Sequence, residues 1–345
     1  MGFAIVLAPP SPPAAPDKAV PSAKSLHRCA ILDDYQNVAL GLADWSTLAG
    51  EVEFTVFNAP LGEPDEIARA LQGFDMVVLM RERTAFPRRL IEALPDLKLL
   101  ISTGKRNWML DVEAANARGI VTCSTETTGN PTTSIAIGLM LELTRRIGYE
   151  SERLKQGAPW QSTLGIDIEG KTLGLIGLGR LGSKVAAIGH ALGMKVIAWS
   201  QNLTAERCAG AGVKLAPSKQ ALLEEADIVS LHVVLSPRTR GLIGAEEFAL
   251  MKRSAYLINT ARGPIVDEAA LIAALRDRRI AGAGLDVYDI EPLPRDHPLR
   301  ALDNVVLSPH LGYVTRENFH TCYAGVVENI RAYLDGKPIR LLQPA

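Results

Sequence analysis

Three ionisable side chains in the C-terminal half of the sequence have types and positions that suit anion binding and proton transfer. Arg262 follows an apolar run in Asn259-Thr-Ala-Arg262-Gly, and its guanidinium could hold a carboxylate in a bidentate fork. His310 lies in Ser308-Pro-His310-Leu-Gly, and an imidazole can exchange a proton near neutral pH. Glu291 precedes a proline in the loop between them. Taken alone, each has a structural alternative: a surface arginine at a turn, a structural histidine and an exposed loop acid.

A glycine-rich segment upstream predicts a phosphate-binding turn. In Gly177-Leu-Gly179-Arg-Leu-Gly182, the first glycine permits a tight turn, the second lets the backbone approach a pyrophosphate, and the third lets a helix pack closely on the strand. An apolar strand precedes this loop and a helical pattern follows it, which is the context that supports dinucleotide binding. The N-terminus of that helix would offer free N–H groups to the phosphates. The alternative is a glycine-rich turn that only packs a helix on a sheet.

The end of the next predicted strand bears on which dinucleotide is bound. An acidic residue usually stands there and bonds the ribose 2′-hydroxyl. This sequence instead has Ser200 and Gln201, with no Asp or Glu between positions 171 and 205. Neutral groups do not repel a 2′-phosphate, so the pattern permits NADP or NAD and leans slightly toward NADP. Arg207 is a weak candidate for a phosphate clamp.

Parallel strands are needed to bring these residues together, because their carboxyl ends lie along one edge of a sheet. Short apolar runs alternate with helical segments over two stretches of the chain, which predicts parallel sheets with helices on both faces. The predicted strands are 29–32, 52–57, 76–80, 97–101, 120–123, 173–176, 195–199, 228–234, 255–259, 282–287 and 305–307. The predicted helices are an amphipathic stretch through Trp45 and Leu48, then 63–72, 111–118, 132–155, 183–192, 219–225, 268–278 and 316–334.

This alternation predicts an α/β protein with two doubly wound parallel-sheet domains. We expect a Rossmann cofactor domain at 130–315. A flavodoxin-like split substrate domain would comprise 27–129 and 316–345, with the last helix returning to it. Residues 1–26 would form a disordered or extended segment, since the short apolar start lacks the basic residues of a signal peptide.

Composition and charge narrow the classes of partner. The 345-residue chain has a formal net charge of −1 with both signs interspersed, which supports no nucleic-acid or membrane-surface partner. The four cysteines lie far apart, so the sequence favours a reducing, cytoplasmic compartment. The six histidines form no H-E-x-x-H pattern, so we expect no metal site. No apolar run is long enough to span a bilayer.

Taken together, these motifs make the sequence similar to the D-isomer-specific 2-hydroxyacid dehydrogenase family. The similarity covers most of residues 98–330 and its combined motifs are highly specific. It is carried by the glycine loop, Asn259-Thr-Ala-Arg262-Gly, Gly284-Leu-Asp286-Val through Glu291-Pro, and Ser308-Pro-His310-Leu-Gly312. Leu231-His232 and Gly241-Leu-Ile243 also fit the family pattern.

The resemblance implies a role for each of the three ionisable residues. Arg262 would bind the substrate carboxylate and polarise the C2 carbonyl, and His310 would exchange a proton with the C2 oxygen. Glu291 would pair with His310, orient it and favour its protonated form. Hydride would pass between nicotinamide C4 and substrate C2, so the task of the protein is positioning.

The resemblance also implies a set of cofactor contacts around the glycine loop and at later strand ends. They are Gly177, Gly179, Arg180, Leu181, Gly182, Ser200, Gln201, His232, Thr260, Ala261, Asp286 and Gly312. Asp286 would bond the nicotinamide carboxamide. It lies within an apolar strand, where an unpaired carboxylate is costly, so we expect it to have a partner in the protein as well.

The first domain departs from the family pattern where a substrate would bind. Many members have a Val-Gly pair after the strand equivalent to 98–102, whereas this sequence has Gly104, Lys105 and Arg106 in that loop. Backbone amides of Gly104 and Lys105 could still hold a carboxylate, and Arg81 and Arg106 could both reach the cleft. This favours an anionic substrate with a second polar or charged end. The alternative is that these arginines are solvated or pair with Glu82 and nearby acids.

We therefore expect an NAD(P)-dependent enzyme that reduces small 2-keto acids, with glyoxylate and hydroxypyruvate first and phosphoglycerate oxidation next. The alternative from another class is an NAD(H)-sensing binding protein, since a corepressor branch of the family uses the same fold to recognise partners. Family analogy implies a homodimer formed through the cofactor domain, with the helix at 132–155 as a candidate interface element.

Overall fold

The computed structural model describes residues 26–344, and the prediction for the N-terminal segment falls almost entirely outside them. The first α/β unit is a five-stranded parallel sheet in the order β2-β1-β3-β4-β5, the flavodoxin-like order. Its strands are β1 His27–Ile31, β2 Val52–Val56, β3 Met76–Leu79, β4 Leu99–Ser102 and β5 Val121–Ser124. Its intervening helices are α1 Pro64–Ala70, α2 Arg88–Glu92 and α3 Val112–Ala117.

The second unit is a seven-stranded parallel sheet in the order β12-β11-β10-β9-β6-β7-β8, which contains the Rossmann arrangement with one further strand. Its strands are β6 Thr172–Ile176, β7 Lys195–Trp199, β8 Lys214–Leu215, β9 Ile228–Leu231, β10 Tyr256–Asn259, β11 Gly282–Leu285 and β12 Val305–Leu307. Its helices are α4 Pro131–Arg145, α5 Ile147–Lys155, α6 Arg180–Ala191, α7 Ala205–Gly210, α8 Lys219–Glu225, α9 Ala245–Leu250 and α10 Glu268–Arg276. The predicted fold class of two parallel-sheet α/β units is confirmed.

The last helix, α11 Arg316–Leu334, returns to the first sheet as expected. It buries Phe319, Tyr323, Val326 and Ile330 in one cluster with residues of the first sheet, including Met76. The rings of Phe319 and Tyr323 meet edge to face at 6.0 Å, a geometry worth roughly 0.5–1.5 kcal/mol beyond the burial itself. The chain therefore leaves the first unit after β5 and comes back to it, although the exact domain limits stay a prediction.

The helix predicted at 132–155 is wrong in one respect, because it breaks at Arg146. That residue is left-handed, with φ 51° and ψ 39°, and it separates α4 from α5. The Glu142 carboxylate near the end of α4 accepts hydrogen bonds from the amides of Gly148 and Tyr149 at 2.8 and 3.3 Å. It thereby caps the N-terminus of α5, and Arg146 in turn donates to the carbonyl of Asp303 at 2.8 Å.

The amphipathic stretch through Trp45 and Leu48 forms two short 3₁₀ turns instead of an α-helix, Ala39–Gly41 and Trp45–Leu48. The reason is local, because acidic side chains compete for the backbone amides. The Asp34 carboxylate accepts from the amides of Val38 and Ala39, and Asp44 accepts from that of Ser46.

The strand predicted at 228–234 is shorter than expected and ends at Leu231. Within residues 26–344, no helix combines the length and the apolar character needed to cross a bilayer.

Candidate active site

Three adjacent strands of the second sheet end side by side and carry the predicted catalytic residues. Asn259 at the end of β10 is paired with Leu285 of β11, which is paired with Leu307 of β12. The loops that follow bear Arg262, Glu291 and His310, respectively. Since carboxyl ends of parallel strands line one edge of a sheet, this register brings the three loops together.

Asp286, just after β11, holds the loop that contains His310. Its side chain is fully buried and accepts hydrogen bonds from Ser308 Oγ at 2.6 Å and from the amides of Leu311 and Gly312 at 2.7 and 2.8 Å. Burial raises the pKa of Asp286, while these donors and the nearby His310 oppose the rise. Asp286 has the protein partners that its apolar setting required, and its contact with a cofactor stays a prediction.

His310 and Glu291 form a partly buried pair. His310 Nδ1 lies 2.7 Å from Glu291 Oε2, and the other carboxylate oxygen accepts from the amide of Tyr288 at 2.9 Å. Burial acts to raise the pKa of Glu291, but the hydrogen bond and charge of His310, the charge of Arg83 and the Tyr288 amide together lower it to about 2. Glu291 is therefore an anion near neutral pH, and Nε2 of His310 is the ring nitrogen left to face a ligand.

Tyr288 is a structural connection that the sequence did not reveal. Its hydroxyl donates toward the carbonyls of Leu285 and Ser308, at 3.1 and 2.9 Å, and so joins the loop of Glu291 to that of His310. The third loop approaches from the other side: a Cβ on Gly263 would lie 2.1 Å from the carbonyl carbon of Tyr288. Only a glycine permits this contact between the Arg262 loop and the Glu291 loop.

Arg83, from the loop after β3, is a second residue that sequence reasoning missed. Its Nη1 lies 2.7 Å from Glu291 Oε2 and its Nη2 lies 2.5 Å from His310 Nδ1. Nδ1 can donate to Glu291 when it carries a proton, or accept from Arg83 when it does not, so the two contacts belong to different protonation states. The only sequence signal was its position two residues after Arg81.

Arg262 is held by its own turn and by a carboxylate from the other unit. Asn259 brackets the turn, accepting from the amide of Ala261 and donating to the carbonyl of Arg262, both at 3.0 Å. Arg262 Nη1 donates to the carbonyl of Ala261 at 2.7 Å, and Nη2 lies 2.9 Å from Glu82 Oε2. Glu82, considered above as a partner for Arg81 or Arg106, thus pairs with the predicted substrate-binding arginine.

Of the other predicted substrate residues, Arg81 and Gly104 lie together, since a Cβ on Gly104 would be 2.8 Å from Arg81 Nη1, whereas Lys105 and Arg106 are exposed. The Arg81 guanidinium lies 5.6 Å from the centre of the Tyr313 ring, and its backbone is left-handed, fixed by Thr103 Oγ1 at 3.0 Å. Arg106 is exposed, and Lys105 Nζ pairs with Glu126 at 2.7 Å on the surface. The Gly104 amide, expected to hold a carboxylate, donates to Thr125 Oγ1 at 2.9 Å. Among the three cationic side chains, that of Arg81 is the one seen beside Tyr313, close to the His310 loop.

A cavity of about 460 Å³ opens at the glycine loop, where the phosphates of a dinucleotide would bind. A Cβ on Gly177 would lie 2.6 Å from the carbonyl oxygen of His232, and one on Gly182 would lie 2.2 Å from that of Gly177, so the turn requires glycine. Around Gly179 no described atom lies within 4 Å of such a Cβ, which leaves room for a phosphate at the start of α6. The lining residues are Gly177, Leu178, Gly179, Trp199, Ser200, Gln201, Asn202, Leu203, Arg207, His232, Val233, Val234, Ser236, Arg238, Thr239 and Leu242.

Of the remaining predicted cofactor residues, His232 lines this cavity, whereas Arg180, Leu181, Thr260 and Ala261 are outside its lining. The Thr260 hydroxyl is buried and has no hydrogen-bond partner among residues 26–344, so a bound group could satisfy it. Burial lowers the pKa of His232 to about 4, and its Nε2 lies 2.9 Å from Ser230 Oγ. Arg180 instead bonds the carbonyl of Gly129 and the side chain of Asn130. Leu181 follows it in the first turn of α6, and Ala261 packs against the core of the second sheet.

Comparison with known proteins gives consistent relatives. The family model described as D-isomer specific 2-hydroxyacid dehydrogenase, NAD binding domain, matches residues 137–312. Glyoxylate/hydroxypyruvate reductase B of Salmonella paratyphi C is 38% identical over 297 residues, covering 83% of this chain and 90% of that protein. D-3-phosphoglycerate dehydrogenase of Methanocaldococcus jannaschii is 37% identical over 276 residues, covering 79% of this chain and 52% of that protein.

The match to structures extends over nearly the whole described chain. The crystal structure of phosphoglycerate oxidoreductase from Vibrio cholerae superposes with a TM-score of 0.86 at 32% identity, covering 90% of this chain and 100% of that one. By sequence, however, this chain spans about half the length of two curated relatives, both D-3-phosphoglycerate dehydrogenases.

Proposed function

Because this chain belongs to the D-isomer specific 2-hydroxyacid dehydrogenase family, we propose that it transfers a hydride between NAD(P) and C2 of a small 2-keto or 2-hydroxy acid. The observation that carries the proposal is the pair of His310 and Glu291, 2.7 Å apart, at the strand ends that also bear Arg262. The dinucleotide cavity opens along the same sheet edge. The site thus combines an anion binder, a proton donor and room for the cofactor.

Each catalytic residue then has one task. Arg262 binds the substrate carboxylate and orients the C2 carbonyl. His310 gives a proton from Nε2 to the C2 oxygen during reduction, or takes it during oxidation. Glu291, ionised because its pKa is about 2, accepts from Nδ1 and so fixes the ring and stabilises the imidazolium. The bound nicotinamide supplies or accepts the hydride.

Glyoxylate and hydroxypyruvate are the first candidate substrates, as the name of the Salmonella relative suggests. Phosphoglycerate is the second, because Arg81 offers an additional cation beside Tyr313 and makes no ion pair with any residue of 26–344. A substrate with a second anionic end would use this guanidinium. Both candidates require the same carboxylate site at Arg262.

We propose NADP as the cofactor, and the residues that line the cavity support this choice. Arg207 and Arg238 both line it, and no carboxylate does so among the described residues. Arg207 Nε donates to the carbonyl of Leu178 at 3.1 Å, which fixes the guanidinium beside the glycine loop. Two cations and no acid suit a 2′-phosphate. Arg238 was not identified from the sequence, because it comes from the loop after β9 and not from the end of β7.

We further propose a homodimer in a reducing, cytoplasmic compartment. The α5 helix buries none of its own residues, and the segment 147–166 exposes Ile147, Tyr149, Leu154, Trp160 and Leu164. A surface of this kind suits an interface with a second copy. All four cysteines are buried free thiols, which is consistent with reducing conditions.

The experiment that tests the activity is an assay of NADPH and NADH oxidation with glyoxylate, hydroxypyruvate, phosphohydroxypyruvate and larger 2-keto acids. Calorimetric titration with each cofactor measures binding separately from turnover. We expect turnover with at least one small 2-keto acid and tighter binding of NADPH than NADH. Binding of cofactor without turnover of any of these acids would contradict the enzyme proposal and favour a nucleotide-sensing protein.

The proton-transfer role is tested by His310→Ala. This change should reduce kcat by at least about a hundredfold, the usual contribution of a general acid. The dissociation constant for NADPH should stay unchanged, because His310 does not line the dinucleotide cavity. Turnover close to that of the wild type would refute the role.

A further inference from the structure

Glu82 lies in the loop after β3 and reaches across the cleft to the arginine that we assign to the substrate. Its Oε2 is 2.9 Å from Nη2 of Arg262, and only 12% of the Glu82 side chain is exposed. The next residue, Arg83, crosses the same cleft to Glu291. A carboxylate of the protein therefore occupies the guanidinium on which the proposed function depends.

The hydrogen-bonding capacity of Arg262 makes this contact matter. A carboxylate is bound most strongly by two parallel N–H groups of a guanidinium. The protein already engages both terminal nitrogens, since Nη1 donates to the carbonyl of Ala261 at 2.7 Å and Nη2 donates to Glu82. A substrate carboxylate placed beside Glu82 would share one cation with it, and like charges that close repel each other.

We propose that Glu82 is a resident competitor for Arg262: its carboxylate holds the position of the substrate carboxylate, and substrate binding exchanges one for the other. The inference rests on the proposed function. It makes Glu82 a specificity residue, because a carbonyl compound without a carboxylate has nothing with which to displace it. The apparent dissociation constant equals the intrinsic one divided by the fraction of molecules in which Arg262 is free, so occupation by Glu82 raises it.

The test is Glu82→Gln, which keeps the size of the side chain and removes its charge. Oxamate, an unreactive monocarboxylate, is titrated by calorimetry into the protein saturated with NADPH. We expect its dissociation constant to fall by about tenfold, which corresponds to a resident competitor that occupies Arg262 in about nine molecules of ten. The KM for the 2-keto acid substrate should fall in parallel.

Glu225→Gln is the matched control. It removes the same charge from an exposed pair with Lys214, away from the cleft, and should leave the dissociation constant of oxamate at the wild-type value. Glu82→Ala serves as the second variant, since a glutamine amide can still bond Arg262, and it should change the affinity in the same direction. Damage to the fold would weaken oxamate binding, so a gain in oxamate affinity in these variants cannot be explained by misfolding.

Unchanged or weaker oxamate binding in both Glu82 variants overturns the inference and would assign Glu82 to orienting Arg262. The two proposals fail separately, because oxamate binding is measured without turnover. Tighter oxamate binding in a protein that reduces no 2-keto acid would sustain the inference and count against the proposed function. Normal turnover of a 2-keto acid without any gain in oxamate affinity would support the proposed function and overturn the inference about Glu82.

Discussion

Glu291 pairs with two basic side chains, one from each α/β unit, and this makes it the central residue of the candidate site. His310 comes from its own unit, at 2.7 Å, and Arg83 comes from the other, also at 2.7 Å. Arg83 fixes the Glu291 carboxylate from the other unit, and a fixed carboxylate orients the imidazole of His310. Arg83 therefore acts on the reaction through His310 and Glu291, as a positioning residue.

Arg83→Met removes this shared charge and keeps the length of the side chain. We expect kcat to fall by about tenfold to a hundredfold, because the ring of His310 loses a group that fixes its position. The dissociation constant of NADPH should not change. Arg88→Met is the control. Arg88 is half exposed, and its Nε forms only a long ion pair with Asp111 Oδ2, at 3.7 Å. A kcat within twofold of the wild type for Arg83→Met would contradict the positioning role.

His232 predicts a pH dependence of stability. Desolvation of its partly buried ring lowers the pKa of His232 to about 4, against about 6.5 in an unfolded chain. Below pH 6.5 the unfolded state binds more protons than the folded one, so the free energy of unfolding falls as the pH drops from 6.5 to 4. This group accounts for a loss of roughly 3 kcal/mol at most.

The measurement is urea denaturation at pH 7.5 and pH 4.5 for the wild type and for His232→Gln. The difference in unfolding free energy between the two pH values should be smaller in the variant, because glutamine takes up no proton. Equal differences in the two proteins would show that His232 does not titrate as its burial implies.

At the scale of elements, the proposed active site depends on three loops packed at the ends of β10, β11 and β12. Gly263 is the tightest contact, since a Cβ there would lie 2.1 Å from the backbone of Tyr288. Gly263→Ala should lower the free energy of unfolding by roughly 1–3 kcal/mol and also lower kcat, because the displaced loop carries Glu291. Both effects are measured on the same preparation, by chemical denaturation and by the reductase assay.

Gly138→Ala provides the opposite case. Gly138 lies within α4 and is exposed. A Cβ placed on it would have no described atom within 4 Å outside its own helix and its chain neighbours. Alanine there should raise the free energy of unfolding by about 0.5–1 kcal/mol, because it restricts the unfolded chain and favours the helix. A similar cost at both glycines would mean that the contact of Gly263 with Tyr288 is not what limits the loop.

The elements also show which parts of the molecule the sequence could predict. Alternating apolar runs identified most of the strands, since a buried parallel strand must be apolar on both faces. The short helices α2, α7 and α9 and the two-residue strand β8 were missed, because they span too few residues for a periodic signal. The break at Arg146 was missed because it depends on how the side chain of Glu142 is used.

The site divides in the same way. The glycine loop, Arg262 and His310 could be assigned to the candidate site from the sequence, because each lies in a local motif whose chemistry can be stated from neighbouring residues. Glu82 and Arg83 were not assigned to the site, because their partners are 180 to 227 residues away along the chain. Such contacts form only when the two α/β units meet, and no spacing in the sequence records them.

At the scale of the whole molecule, the segment between α5 and β6 exposes apolar side chains that do not pack in the core of their own chain. Leu164 is 98% exposed and Trp160 is 75% exposed, and the preceding helix α5 also buries no residue. Burying such side chains against a second copy would remove a large apolar area from water. The proposed homodimer would therefore be formed by this segment of the cofactor-binding unit.

Leu164→Asp tests the dimer, because an aspartate in the middle of an apolar interface would be desolvated without a partner. We expect sedimentation velocity to show a dimer for the wild type and a monomer for this variant at the same concentration. Leu40→Asp makes the same change at a leucine that is 49% exposed on the first unit, and it should remain dimeric. A wild-type monomer, or a variant that stays dimeric, would remove this surface as the interface. If the variant is monomeric but retains its kcat, each active site is complete within one chain, as expected when Arg83, Arg262, Glu291 and His310 all come from the same polypeptide.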